Sequence, residues 1–310
     1  MDSQGTSHWS LKTGEITSLG PVELLHSNSA GGEVKFYLYT PDNPNTAQIL
    51  FTNNKDSVTN SHFEKSRPTR IIIHGWHSDY TSTPNIPIRE AYLSEGDYNI
   101  ISVDWNDYSK LNYITARANV PVVGDEVAQF IDFLNAEFDM SFSNLVVIGH
   151  SLGAHVAGYC GKSVTRGTLD AIVGLDPASA LFCYENSGTR LASTDAIYVQ
   201  TIQTNGSCQG FLKPIGTASF YPNWGRKQPG CGFEPFGACS HHRCISYYVE
   251  AIKGYSFAPV YKCRNYNDIW NKKRGDFNAS AQIGDPMQIK RVCGIFYFAT
   301  NSHEPYGHRS

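Results

Sequence analysis

The stretch that most constrains the fold is Asn144-Leu145-Val146-Val147-Ile148-Gly149-His150-Ser151-Leu152-Gly153-Ala154-His155-Val156-Ala157-Gly158. Leu145 to Ile148 form an unbroken apolar, mostly β-branched run, which reads as a strand buried on both faces. Gly149-His150-Ser151-Leu152-Gly153 then fits the G-x-S-x-G nucleophile elbow, and Ala154 to Tyr159 opens a helix. Such a turn lifts a serine hydroxyl above a sheet at the expense of strained backbone, and flanking glycines let neighbouring chain approach without a Cβ clash. The helix that follows directs its N-terminal dipole at negative charge developing on a substrate oxygen. A strand, a tight turn and a small-residue helix in that order point to nucleophilic acyl chemistry.

The rest of the chain supplies the sheet that such an elbow needs. Glu33–Thr40, Thr69–Trp76, Asn99–Trp105, Ala171–Ala178 and Ala196–Ile202 are further strand-like runs. Between Val120 and Phe138, Val123, Val127, Phe130, Ile131 and Leu134 recur at helical spacing on one face. Strands alternating with helical stretches imply an α/β fold, its mostly parallel sheet covered on both faces. We expect a loosely held polar arm over residues 1–32 and one α/β-hydrolase domain over 33–310, with a disulfide-rich, loop-heavy C-terminal third.

Bulk properties exclude several classes. A net charge of −3 gives no reason to expect nucleic acid as a partner. No run approaches the roughly 18 apolar residues of a membrane span. MDSQGTSHWS, the first ten residues, lacks the basic and apolar regions of a signal peptide. The chain is therefore either a mature secreted form behind an added Met1 or a cytosolic protein. Eight cysteines, Cys160, Cys183, Cys208, Cys231, Cys239, Cys244, Cys263 and Cys293, favour the secreted alternative. None has zinc-site spacing, so no metal is expected. Sequons at Asn205 and Asn278 add glycosylation as an expectation.

A serine hydroxyl needs a general base, and the base needs an orienting acid. In α/β-hydrolases these follow the serine in the order acid, then histidine. Among Asp170, Asp176, Glu185 and Asp195, Asp176 is preferred because it closes a buried strand at the sheet's carboxyl edge. His241 and His242, between Cys239 and Cys244, are equal candidates for the base, while His303 and His308 lie in a polar tail. His74, His150 and His155 precede the acid and are expected to pack or hydrogen-bond locally. The backbone N–H groups of Trp76 and Leu152 suit an oxyanion hole, Gly75 giving the first freedom to turn inward.

At these residues the chain resembles the secreted lipase family of the pancreatic-lipase type, its insect neutral-lipase and phospholipase A1 members above all. The matching blocks are Phe36-Tyr37-Leu38-Tyr39-Thr40, Ile73-His74-Gly75-Trp76, Val103-Asp104-Trp105, the elbow, Gly174-Leu175-Asp176-Pro177-Ala178, Phe220-Tyr221-Pro222-Asn223 and Cys239-Ser240-His241. The resemblance implies Ser151 as nucleophile, Asp176 as acid and His241 as base, with oxyanion donors at Trp76 and Leu152. It implies a cofactor-free extracellular hydrolase of phospholipid, galactolipid or acylglycerol, meeting its substrate transiently at a membrane or micelle surface. The pancreatic enzymes' C-terminal β-sandwich has no counterpart here, so no colipase is expected. Trp224 stands where the family usually has glycine. The family's lid is bracketed by a cysteine pair, here resembling Cys231 and Cys239 with only Gly232 to Ala238 between them. So short a lid resembles the phospholipase A1 branch, and it cannot cover a cleft; its Phe233 and Phe236 either touch lipid or pack the loop down. By position, Cys208 with Cys244 and Cys263 with Cys293 are the further pairings expected, and Cys160 is expected free or oddly paired.

Overall fold

Every buried run read from the sequence forms a strand: β1 (Lys35–Tyr39), β3 (Thr69–Ile73), β4 (Asn99–Asp104), β5 (Leu145–His150), β6 (Ala171–Leu175) and β7 (Tyr198–Ile202). With β2 (Gln48–Leu50) and β8 (Ala218–Pro222) they belong to one 11-stranded sheet in a computed structural model that describes residues 32–206 and 208–309. Apart from Gly32, the arm expected over 1–32 lies outside the described residues. The order runs β8-β7-β6-β5-β3-β4-β1-β2. All neighbours from β8 to β4 are parallel, and β1 and β2 add an antiparallel edge.

Alternation along the strands splits the core into two layers. Ile71, Ile73, Val103 and Val147 face the long helix Tyr113–Phe138 and the elbow helix Leu152–Ser163, meeting Val123, Val127, Phe130 and Val156. Ile72, Ile100, Val146 and Ile148 face the other way, against Ile88 and Tyr92 of helix Asn85–Glu95 and Tyr247 and Tyr248 of helix Ala238–Ile252. Burial of each such side chain is worth about 1.5–3 kcal/mol. Helices on both faces are what a parallel sheet requires. None of them, among the described residues, is long and apolar enough to cross a membrane.

The register positions the site. Ile73 lies opposite Gly149, Gly149 opposite Gly174, and His150 opposite Leu175. The turns after β3, β5 and β6 therefore leave the sheet side by side at its carboxyl edge, the place where open α/β sheets bind ligands.

Several expectations need correction. The long helix starts at Tyr113, not near Val120: Asn112 caps it, accepting the Thr115 N–H at 3.1 Å, and Pro121 sits inside it. The C-terminal third is less loop-like than expected. Strand Gly294–Phe298 runs parallel beside β8, Phe296 stacking on Phe220, and Tyr261–Cys263 and Asp276–Phe277 extend the sheet beyond it. Nor is that third rich in disulfides. Cys231–Cys239 is the one bridge among the described residues, and Cys208, Cys244, Cys263 and Cys293 are free thiols. In each of the two pairings expected from position, one sulfur is buried and the other faces solvent. Cys160, expected free or oddly paired, is free and buried. Trp224, out of place in the motif, stacks on Tyr297 at 3.7 Å.

Candidate active site

Ser151 sits at φ 57°, ψ −121°, a backbone region that L side chains rarely adopt. Its neighbours hold it there: Ser151 N–H donates to Leu175 O at 3.0 Å, and Ser151 O accepts from Ala178 N–H at 3.2 Å. The elbow helix follows so closely that a Cβ on Gly153 would lie 2.4 Å from the carbonyl oxygens of Ile73 and His74. Close approach, rather than an unusual φ, is what requires glycine there.

Asp176 follows β6 directly and is fully buried. Its Oδ1 accepts the backbone N–H groups of Thr204 at 2.7 Å and Asn205 at 3.0 Å, and its Oδ2 lies 2.6 Å from His241 Nδ1. With Nδ1–H committed to the carboxylate, neutral His241 carries its free lone pair on Nε2. The competing acids are engaged elsewhere: Asp170 with Arg291, Asp195 with Lys162 and Glu185 with Lys213. His242, the equal candidate on sequence, points to solvent and hydrogen-bonds Ala238 O at 2.9 Å. The two histidines stand near the start of helix Ala238–Ile252. At 3.6 residues per turn, neighbours on a helix point about 100° apart, so only one of them can meet Asp176. His303 and His308 are exposed, as expected.

Ser151 and His241 line one cleft of about 700 Å³, shared with Trp76, Tyr113, Gln209 and Phe236. Among the described hydrogen bonds none joins Ser151 Oγ to the imidazole; such contacts commonly tighten only with substrate in place.

The remaining histidines shape the rim. His74 Nε2 accepts Trp105 N–H at 3.2 Å, which places the ring proton on Nδ1, 2.9 Å from Gly75 O. Gly75 C=O and Trp76 N–H share one planar trans peptide and point in opposite directions. Fixing the carbonyl on buried His74 therefore fixes the direction of the Trp76 N–H. Gly75 itself is demanded by proximity, since a Cβ there would come 2.9 Å from Ser151 Cβ. Leu152 N–H is the first amide of the elbow helix, and amides at that position have no partner within their own helix. His155 is pushed down to about 3 by burial and stays neutral. It donates from Nε2 to Ala178 O at 2.7 Å and accepts Leu191 N–H at Nδ1, bracing the elbow from below. Burial holds His150 well below its ordinary range too, and its Nε2–H donates to His241 O at 3.2 Å.

The loop between Cys231 and Cys239 is short and pinned. Glu234 accepts Ser240 N–H at 2.9 Å and the Ser240 hydroxyl, Gln209 Nε2 donates to Phe236 O, and Asn205 Nδ2 donates to Gly237 O at 2.9 Å. Phe233 and Phe236 are 93% and 79% exposed, so they do not pack the loop down. At the Asn205 sequon the side chain is buried with its amide nitrogen on Gly237 O, while Oδ1 accepts Gln209 N–H at 2.8 Å. Its Ser207 lies outside the described residues. Asn278 is half-buried, with Oδ1 accepting Ser280 N–H at 3.0 Å, and its amide nitrogen is not tied up in that way.

Sequence reasoning missed Glu234 and the backbone of Thr204 and Asn205. An acid just ahead of a helix start is a signal for the first. The second has none, because every non-proline residue carries an N–H.

A family model described as Lipase matches residues 3–306. The pancreatic triacylglycerol lipase of Myocastor coypus is 35% identical over 269 residues, covering 80% of this chain and 58% of its own. The inactive pancreatic lipase-related protein 1 of Homo sapiens is 34% identical over 279 residues, covering 83% and 59%. The chain thus spans less than two thirds of the length of these curated relatives. Among solved structures, an esterase of Pyrococcus furiosus matches over 56% of this chain and 72% of its own, at 18% identity and a TM-score of 0.34. On a match reaching from residue 3 to residue 306, this chain belongs to the Lipase family, in the group that the pancreatic lipases represent.

Proposed function

We propose that this protein is a secreted, cofactor-free serine hydrolase of carboxylic esters, acting on the sn-1 ester of phospholipids. The observation that carries the reading is the buried 2.6 Å contact of His241 Nδ1 with Asp176 Oδ2 on the wall of the cleft that holds Ser151. In this mechanism Ser151 Oγ attacks the ester carbonyl while His241 Nε2 takes its proton. The N–H groups of Trp76 and Leu152 stabilise the oxyanion, and the proton passes to the departing glycerol oxygen. Water, deprotonated by His241, then releases the fatty acid from Ser151. Asp176 keeps the imidazole in the tautomer that both steps need.

The phospholipid preference rests on the loop between Cys231 and Cys239. Seven residues, tied by the Glu234, Gln209 and Asn205 contacts, form no apolar flap that could shut over Ser151. Without a closed state, an oil surface has nothing to unlock. A charged headgroup near such an open rim loses little hydration. The relatives' names favour a second reading, a neutral acylglycerol lipase. A third, a non-catalytic yolk or storage-type homologue, is admitted by the inactive relative.

Initial rates across the solubility limit separate these readings, with a short-chain triacylglycerol and a short-chain phosphatidylcholine in parallel. Phosphatidylcholine should be hydrolysed faster, with no jump at the limit. A sharp activation with triacylglycerol preferred would install the second reading, and no hydrolysis of either would favour the third.

A further inference from the structure

The antiparallel edge of the sheet carries a pocket separate from the cleft. Tyr37 and Tyr39 stand two residues apart on β1 and so share a face of the sheet, and Ile49 of β2 is paired with Tyr37. Ile86 and Arg89, three residues apart on helix Asn85–Glu95, supply a second wall. Tyr80 completes it, its ring stacked on Tyr37 with 3.6 Å between ring centres. The space measures about 470 Å³, a size that suits a small ligand. None of these residues lines the cleft around Ser151, although the loop that carries Tyr80 gives His77, Ser78, Ser82 and Thr83 to that cleft.

Arg89 is the member that calls for a ligand. It is only 8% exposed, and an arginine is almost never buried so deeply without a paired opposite charge. Its guanidinium lies over the Tyr39 ring, 4.2 Å from the centroid, and its Nε is sealed from solvent with no hydrogen-bond partner. Glu90 Oε1 stands 3.8 Å from Nη2, beyond hydrogen-bond reach, on a side chain mostly in solvent. Asp79, in the loop, turns its carboxylate to the Thr81 N–H at 2.8 Å and the Thr81 hydroxyl at 2.7 Å. We propose that this pocket binds a phosphate ester, with the terminal nitrogens of Arg89 as donors to the phosphate. A planar guanidinium fork matches two phosphate oxygens at once. The tyrosine rings give the organic part of the ester a flat wall, which a bare ion would not use. A phospholipid headgroup and a soluble phosphate ester present the same group. The site does not depend on the ester hydrolysis proposed above.

Phosphorylcholine, inorganic phosphate and acetate are titrated by calorimetry into the intact protein, Arg89→Gln, Arg89→Lys and Tyr80→Ala, with urea midpoints to show that each is folded. The intact protein should bind phosphorylcholine at one saturable site, more tightly than inorganic phosphate and far more tightly than acetate. Arg89→Gln should weaken phosphorylcholine by about tenfold or more, the usual effect of losing hydrogen bonds to a charged group. Arg89→Lys keeps the charge and loses the fork, so it should also bind more weakly, and it serves if Arg89→Gln does not fold. Tyr80→Ala should weaken phosphorylcholine more than inorganic phosphate. The source of the phosphate is read by sedimenting Ser151→Ala and Ser151→Ala/Arg89→Gln with phosphatidylcholine vesicles. Weaker sedimentation of the double variant assigns the site to a lipid headgroup; weakening with phosphorylcholine alone assigns it to soluble esters. These losses in a protein that hydrolyses no ester would sink the proposed function and leave the site standing. Affinities for phosphorylcholine and vesicles unchanged in both Arg89 variants, acetate bound as tightly as phosphate, or no saturable binding together with unchanged sedimentation would overturn the site.

Discussion

Ser151→Ala is expected to lower kcat for a soluble butyrate ester by about 10⁴–10⁶-fold, the loss typical of a removed triad member. Stability should barely move, within about 0.5 kcal/mol. The lost oxygen has no hydrogen-bond partner among those described, so no buried group is orphaned. Ser151→Gly should be as inactive yet more stable than Ser151→Ala, by about 1–3 kcal/mol, because φ 57° with ψ −121° suits glycine and strains alanine. Urea midpoints and steady-state rates on the three proteins check both halves. A tenth of the activity remaining in Ser151→Ala would remove the serine from the chemistry.

His241→Ala should be nearly as damaging as the serine change, whereas His242→Ala should cost less than about tenfold, below the range that a proton-transferring group supplies. The contrast follows from geometry: His241 Nδ1 is 2.6 Å from Asp176, and His242 Nδ1 is bound to Ala238 O. Asp176→Asn should lose about 10⁴-fold, because an amide that donates towards Nδ1 would select the wrong tautomer. The double variant Ser151→Ala/His241→Ala should be no worse than either alone, since the residues act as one unit. Rates on the butyrate ester decide it, and a larger loss in His242→Ala than in His241→Ala would transfer the base role.

How far the sequence discloses this site depends on how local each signal is. The elbow reads directly because strand, turn and helix are contiguous from Leu145 to Ser163 and each obeys its own periodicity. Asp176 reads for the same reason, at the end of a five-residue buried strand. The choice between His241 and His242 does not, because it depends on the rotational phase of a helix whose start at Ala238 is set partly by Glu234. Residues Gly294–Phe298 lie between strand Tyr261–Cys263 and β8, and no local pattern announces the parallel partner β8, far earlier in the chain. Cysteine pairing fails likewise: position suggested Cys208 with Cys244, and Cys244 instead lies buried on the His241 helix, its thiol donating to His241 O at 3.1 Å. The Asn205 sequon shows the limit most plainly, since three letters of sequence cannot reveal that the amide is already hydrogen-bonded inside the fold.

The central claim, that Ser151 is the nucleophile activated by His241 and Asp176, is tested most directly by covalent labelling. The intact protein, Ser151→Ala and His241→Ala are treated with a fluorophosphonate, digested, and the adduct mapped by peptide mass. One adduct is expected, on Ser151, absent from Ser151→Ala and formed far more slowly in His241→Ala. No adduct on the folded protein, or an adduct on another residue that survives Ser151→Ala, would contradict it.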